Sequence, residues 1–350
     1  MQTVYTDFSA LDIIADRKPL LVCDNAYELF GIDMPAKTVR FSGFKPNPLF
    51  EDARTGAQLL KKNNCDFIVA IGGGSAIDTA KCIKYFCGAE IPLMAVPTTS
   101  GTGSEATHFA AIYKDSEKRS ISEAWLLPDY VILQPKLLES LPIYQKKCTM
   151  LDALCQSIES WWSRKSTPES IELSKNAIRL IMDNMGGYLR NEHEGNKNML
   201  AASNTAGRAI NITTTTAPHA MSYKLTTLYG LPHGHSVALC LPKVWRQMGG
   251  YDDIAKALYK NSYTEAIVYL EDLLCELEIY PPQNVGAGDI KILTDSVNEE
   301  RLGNHPISLS KEVISEIYAQ ILSPHQARTS SVSAKAKRLE YELDNVEKWR

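Results

Sequence analysis

Several things are missing from this 350-residue chain, and each absence removes a class of function. No apolar run reaches the roughly 18–20 residues that span a bilayer, so no transmembrane helix is expected. There is no basic excess: 37 Lys and Arg stand against 41 Asp and Glu, a formal net charge of −4. A general binder of nucleic acid or of membrane surfaces carries a basic bias, so neither partner is expected. There is no Cys-x-x-Cys pair, and the 8 irregularly spaced cysteines read as reduced, buried thiols. Met1 to Asp16 has early acids and no basic leader region, so a signal peptide is not expected and a cytoplasmic protein is. No internal repeat is visible, and the G-x-G-x-x-G dinucleotide fingerprint is absent.

What is present is an ordinary globular composition, 44% hydrophobic and 22% charged, in a chain long enough for one large or two ordinary domains. Short apolar runs at Leu20–Cys23, Thr38–Phe41, Phe67–Ile71 and Pro92–Val96 read as strands. Helical spacing at Leu49–Asn63 and Ala76–Phe86 separates them, and Pro46 and Pro48 mark a loop. Strands alternating with helices predict an α/β, doubly wound parallel sheet with both faces covered, over residues 1–145. Beyond it the periodicity is helical: Leu151–Ser163, Pro168–Leu189, Lys197–Ile210 and Tyr251–Leu277, with breaks at Gly186-Gly187, Gly230–Pro232 and Pro281-Pro282. This predicts an all-α second domain over residues 146–350, with a ligand crevice between the two. Its end, Ser323 to Arg350, is charged and reads as a peripheral helix or loose tail.

Three constellations carry chemistry. Gly72-Gly73-Gly74-Ser75, followed by Asp78, comes directly after a buried strand and opens a helix. Such a turn lets the backbone approach a pyrophosphate, which the helix N-terminus then binds through its free N–H groups. Pro97–Glu105, with Thr98, Thr99, Thr102 and Ser104, follows the next strand, so both loops open on the carboxyl edge of one sheet. Asp24 ends the first strand; an acid there accepts from ribose hydroxyls and disfavours a 2′-phosphate, or it simply caps the strand end. The third set is Asp152, Gln156, His219 and His233. Asp152 and Gln156 share one helix face at i, i+4, and an acid with two imidazoles suits a divalent metal open to substrate.

Together these segments resemble the iron-containing alcohol dehydrogenases, whose hallmarks are a GGGSxxDxxK loop, a PTTSGTGSE loop, an Asp-x-x-x-His helix and two later histidines, the second in a Pro-His-Gly motif. The resemblance runs from about Leu20 to Leu322. It implies an N-terminal dinucleotide domain and a helical C-terminal domain, an architecture shared with dehydroquinate synthase. It implies NAD(H) held by Asp24, Gly72 to Ser75, Asp78, Thr98, Thr99, Thr102 and Ser104. It also implies Fe²⁺ or Zn²⁺ held by Asp152, Gln156, His219 and His233. Two positions depart from the pattern: Gln156 stands where the family has a ligand histidine, and Tyr223 where many relatives have a histidine near the nicotinamide. Tyr223 or His235 is then the expected proton donor.

The stretch Val39–Leu49, with Gln156 and Ala217–Tyr223, resembles a branch associated with phosphonoacetaldehyde reduction. A dianionic substrate needs cations, for which Arg208 and Lys224 are the candidates. The expected function is NAD(H)-dependent interconversion of a small aldehyde and its primary alcohol, phosphonoacetaldehyde and 2-hydroxyethylphosphonate among them, by a homodimer. Two other readings stay open at this point: a lyase like dehydroquinate synthase that uses NAD transiently, and a metal-free nucleotide-binding relative.

Overall fold

A computed structural model describes residues 2–45, 48–88, 90–114, 117–298 and 302–323. Pro46 and nearly all of the charged tail lie outside the described residues. The strands are β1 (Thr3–Tyr5), β2 (Pro19–Cys23), β3 (Val39–Phe41), β4 (Phe67–Gly72), β5 (Leu93–Pro97), β6 (Phe109–Lys114), β7 (Glu117–Ser122) and β8 (Tyr130–Ile132). Among the described residues, six form one parallel sheet in the order β1-β8-β5-β4-β2-β3. Strands β6 and β7 form a separate antiparallel hairpin.

The continuous apolar runs become the central strands because both faces of the sheet are covered. Leu20, Val22, Ile68, Ala70, Leu93 and Ala95 point to one face, against α1 (Phe50–Lys62) and α2 (Gly74–Cys87). Leu21, Cys23, Val69, Ile71, Met94 and Val96 point to the other, against Ile14, Ile132 and Leu137. The alternation follows the two-residue period of a strand, and each Leu, Val, Ile or Met so buried contributes about 1.5–3 kcal/mol.

Helices dominate from Ile143 onward: α3 (Ile143–Trp162), α4 (Pro168–Leu189), α5 (His193–Thr213), α6 (Ala217–Tyr229), α7 (His233–Met248), α8 (Asp252–Ala257), α9 (Tyr263–Glu276) and α10 (Asp289–Asp295), then Lys311–Leu322. They share one core that includes Trp162, Trp245 and Tyr318. Among the described residues no helix is long and apolar enough to cross a membrane. All eight cysteines are free; Cys87 and Cys275 are half-buried rather than buried.

The structure corrects two sequence expectations here. Gly186-Gly187 does not break the chain but lies inside α4. A Cβ on Gly195 of α5 would sit 2.3 Å from the Gly187 carbonyl carbon, so the glycines let two helices touch backbone to backbone. The single periodic stretch Tyr251–Leu277 is two helices, parted at Tyr259, which has φ of 59°.

Candidate active site

The order of the sheet fixes where a ligand sits. The chain builds outward from β2 to β3, returns to place β4 on the other side of β2, and continues to β5 and β8. The order reverses between β2 and β4, and ligands of open α/β sheets bind outside the carboxyl ends of the strands at such a point. Asp24 follows β2 there and Gly73 follows β4, with Cys23 and Ile71 in register. Thr98 at the end of β5 donates its N–H to Gly72 O at 3.0 Å.

The glycine turn and the threonine loop fit together because the glycines have no side chains. A Cβ on Gly73 would lie 3.3 Å from Thr99 Cγ2 and Oγ1, and one on Gly74 only 2.8 Å from Thr102 Cγ2 and Oγ1. Gly73 caps α2, whose first turn presents backbone N–H groups. On the far side of the loop, Gly103 has φ of 58°, and a Cβ there would meet Gly207 Cα of α5 at 2.5 Å.

Polar side chains of the motifs hold this loop in place. Lys81 is fully buried, and its Nζ donates to Ser104 O, to Ser104 Oγ and Thr107 Oγ1 at 3.2 and 3.0 Å, and to Phe109 O at 2.9 Å. Burial lowers the Lys81 ammonium to about 8, with Asp78 and Glu105 opposing the shift. Ser104 Oγ donates to Asp78 Oδ1, and Asp78 Oδ2 accepts from Ala111 N at 3.0 Å. The side chains of Asp78 and Ser104 are therefore occupied with each other and with the β6 edge. Asp24 Oδ1 accepts from Ala26 N at 2.9 Å and caps a short 3-10 turn. Its Oδ2 faces the glycine turn, 3.9 Å from where a Gly72 Cβ would be.

The second part of the site lies on α3, α6 and α7. Asp152, Gln156 and Glu159 occupy one face of α3 at i, i+4 and i+7, and all three are buried. Among the described residues, Asp152, His219 and His233 offer ligand atoms that all lie within 4.8 Å of one another. His219 Nε2 is 3.3 Å and His233 Nε2 3.9 Å from Asp152 Oδ1.

Each imidazole is oriented from behind. His219 Nδ1–H donates to Glu159 Oε1, while Glu159 Oε2 accepts from Thr216 N and Oγ1 at 2.7 and 2.9 Å. His233 Nδ1 faces Ser222 Oγ at 3.5 Å, and that hydroxyl donates to His219 O at 2.8 Å. Gly234 brings α7 onto α3: a Cβ there would be 2.0 Å from Cys148 O and 2.9 Å from Asp152 Cβ.

Among the described residues, neither His219 Nε2, 3.3 Å from Asp152 Oδ1, nor the buried Gln156 Oε1 makes a hydrogen bond. A buried polar group normally finds one, and leaving it without costs about 1–3 kcal/mol. With a carboxylate and a second imidazole beside them, these atoms fit a divalent cation of the first transition row or zinc. A carboxylate behind a ligand histidine is the usual second layer of such a centre. Burial pushes the His219 ring down, but Glu159 and Asp152 outweigh it and lift the ring to about 9. A cation on Nε2 displaces that second proton.

Tyr223, one turn after His219 on α6, stacks on His233 with ring centroids 5.7 Å apart and an interplanar angle of 9°. Lys224 beside it is half-buried, and Arg208 is exposed on α5 next to Gly207. The expectation for His235 is corrected. Two residues beyond His233 on a helix, it turns to a different face. There it is buried, with Nδ1 bonded to Tyr144 Oη at 2.9 Å and Nε2 to Tyr280 O at 2.8 Å. Both ring nitrogens are engaged by the protein, so His235 is not a proton donor to this cluster.

Sequence reasoning missed Glu159 and Gly234. Glu159 carried a usable signal, since it continues the face of Asp152 and Gln156 by one more turn.

Comparison with known proteins agrees with this geometry. Residues 11–135 match the family model "iron-containing alcohol dehydrogenase", and residues 147–322 match the C-terminal model of the Fe-containing alcohol dehydrogenase family. Alcohol dehydrogenase 4 of Schizosaccharomyces pombe is 28% identical over 311 residues, 79% of this chain and 74% of that protein. Phosphonoacetaldehyde reductase of Streptomyces viridochromogenes is 33% identical over 217 residues, 54% of this chain and 55% of that protein. The crystal structure of sulfoacetaldehyde reductase from Bifidobacterium kashiwanohense in complex with NAD+ superposes with a TM-score of 0.84 at 25% identity, covering 92% of this chain and 97% of that one. The chain belongs to the iron-containing alcohol dehydrogenase family and is an oxidoreductase of alcohols and aldehydes that uses NAD and a divalent metal.

Proposed function

We propose that the protein reduces a small aldehyde bearing an anionic group, phosphonoacetaldehyde or a close analogue, to its primary alcohol with NADH. The observation that carries the chemistry is the buried cluster of Asp152, Gln156, His219 and His233, with two open valences, joined to the threonine loop that lies on the glycine turn. Family membership favours this over the lyase and the non-catalytic reading. The anionic substrate is supported by two relatives whose names specify two-carbon aldehydes with a phosphonate or a sulfonate, and Lys224 is the candidate cation for it.

In this reading Gly73, Gly74 and the first turn of α2 bind the pyrophosphate, and Thr98, Thr99 and Thr102 line the same cleft. Asp24 Oδ2 receives a ribose hydroxyl. Asp152, Gln156, His219 and His233 hold the cation. When bound, the nicotinamide supplies the hydride, and the ion polarises the substrate's C–O bond as a Lewis acid. Glu159 holds a proton on His219 Nδ1, so that Nε2 is the nitrogen whose proton a cation would replace. The packed α3–α7 contact at Gly234 fixes His233 against Asp152. Tyr223 Oη provides the proton that completes the alcohol, and Lys224 pairs with the anionic end of the substrate.

The test is NADH oxidation with a panel of propionaldehyde, sulfoacetaldehyde and phosphonoacetaldehyde. The anionic aldehydes should exceed propionaldehyde in kcat/KM by at least about tenfold, as one charged hydrogen bond allows, and Lys224→Met should remove the difference. A preference for propionaldehyde would overturn the anionic substrate. No NADH loss with any aldehyde would overturn the reductase.

A further inference from the structure

Gln156 touches both halves of the site. Its Nε2 lies 3.4 Å from the backbone oxygen of Thr102. A carbonyl only accepts, so this end of the amide is the NH₂ group. The other end, Oε1, is then a buried acceptor without a hydrogen-bond partner among the described residues, on the face of α3 that carries Asp152. Thr102 is the loop residue that lies on Gly74, with its Cγ2 and Oγ1 2.8 Å from a Cβ placed there, and its Oγ1 accepts from Ser104 N at 3.2 Å. One amide therefore stands between the metal cluster and the turn that opens α2.

We propose that Gln156 couples metal binding to dinucleotide binding. The inference rests on the reading above, in which the cluster holds a divalent cation and the glycine turn holds NAD. An ion on Oε1 polarises the amide and strengthens the Nε2–H donor to Thr102 O, as one hydrogen bond in a chain strengthens the next. A dinucleotide against Thr102 fixes that carbonyl and through it the Gln156 side chain, so Oε1 is held for the ion. The rotamer freedom of a long, flexible side chain is lost once and serves both ligands, which is positive cooperativity. The coupling is reciprocal: each ligand must tighten the other by the same factor.

The experiment uses full-length protein stripped of metal with a chelator. Zn²⁺ is titrated by calorimetry without and with saturating NADH, and NADH is titrated by its fluorescence without and with saturating Zn²⁺. Each ligand should tighten the other by the same factor, about fivefold or more. Two variants separate coupling from affinity. Gln156→Glu keeps an oxygen ligand and adds charge, so Zn²⁺ should bind more tightly than to the wild type. Gln156→Met keeps the size without charge or amide, so Zn²⁺ should bind more weakly. Neither side chain donates to Thr102 O, so in both the mutual factor should fall to about one while the affinities move in opposite directions. A factor unchanged in both variants, or independent binding in the wild type, overturns the coupling and leaves the metal and NAD sites standing. Wild-type protein that binds NADH but no Zn²⁺ overturns the coupling and the metal reading together.

Discussion

In the α/β half, Lys81 is completely buried, and its three N–H groups are shared among four oxygens of the loop and hairpin that follow. In the helical half, His219 is also buried, and its Nε2 makes no hydrogen bond among the described residues. Both groups carry the cost of leaving water and both meet it with neighbours, Lys81 with loop and hairpin oxygens and His219 with the Glu159 and Asp152 carboxylates, but they differ in what is left over for a ligand. The contrast separates two uses of buried polarity. Where the protein fills every valence, the group is a strut, and the ligand is met by glycine backbone and threonine hydroxyls. Where a valence is left open beside a carboxylate and a second imidazole, the group waits for a ligand.

Breaking the second arrangement should cost the most. Glu159→Gln would keep an oxygen on the Thr216 N–H and turn its NH₂ toward His219 Nδ1. The ring proton is then forced onto Nε2, which blocks the ligand lone pair. Zn²⁺ affinity, read by calorimetry, should fall about 10–100-fold, the usual cost of a lost second-layer partner. An unchanged affinity would mean that Glu159 does not orient His219.

Breaking the strut should act differently. Lys81→Met removes the one ammonium that ties Ser104 O, Ser104 Oγ, Thr107 Oγ1 and Phe109 O together. Stability to urea should drop by about 3 kcal/mol, and KM for NADH should rise, because buried acceptors lose their partner. Zn²⁺ affinity measured without NADH should stay near wild type, since the cluster is built on other helices. A large loss of metal with no loss of stability would erase the distinction.

A third group sharpens the comparison, because it is buried without a partner and is not in the cluster. His305 lies against Trp162 at 6.2 Å, with neither ring nitrogen hydrogen-bonded among the described residues. Burial holds its ring at about 4, below the ordinary value of 6.5. Between those values the unfolded chain binds the proton and the folded one does not. Its contribution is therefore complete above pH 6.5 and is lost as pH falls toward 4. From pH 7 to pH 5 the wild type should lose about 2 kcal/mol more than His305→Phe, at 1.36 kcal/mol per unit. Equal losses in urea melts at the two pH values would refute it.

The smallest effect is at Asp24, where capping and ribose recognition overlap. Asp24→Ser keeps a side-chain cap on Ala26 N but removes the charge, leaving Arg40 Nη2 3.3 Å from residue 24's carbonyl oxygen. The preference for NADH over NADPH should narrow about tenfold, the low end of a charged hydrogen-bond effect. A preference that does not move would make Asp24 a cap and nothing more.

The sequence made these regions legible to different degrees. The central strands were readable because parallel strands covered on both faces are apolar without interruption, as in Phe67–Ile71. β1 and β8 are three residues each and leave no pattern. The hairpin strand β7, Glu-Lys-Arg-Ser-Ile-Ser, is too charged to suggest a strand. Gly186 and Gly187 looked like a break because glycine disfavours helices, yet tertiary contact with Gly195 overrides that preference. At the site, spacing located Asp152 and Gln156, and motif order located His219 and His233. Spacing in the same helix also speaks against His235, which lies two residues from His233 and so on another face. The separate work of Asp78 and Lys81 could not be read, because nothing local shows that a loop some twenty residues on packs over them.

The cluster of Asp152, Gln156, His219 and His233 in the helical half is read as the seat of a metal ion. Elemental analysis of the purified protein beside His233→Ala tests it directly, because His233 is partly exposed at the start of α7 and its loss should leave the fold intact. The wild type should carry one equivalent of divalent metal per chain and the variant little or none, with loss of aldehyde reduction in parallel. A wild-type protein without metal that keeps full NADH-dependent activity after exhaustive chelation would contradict it.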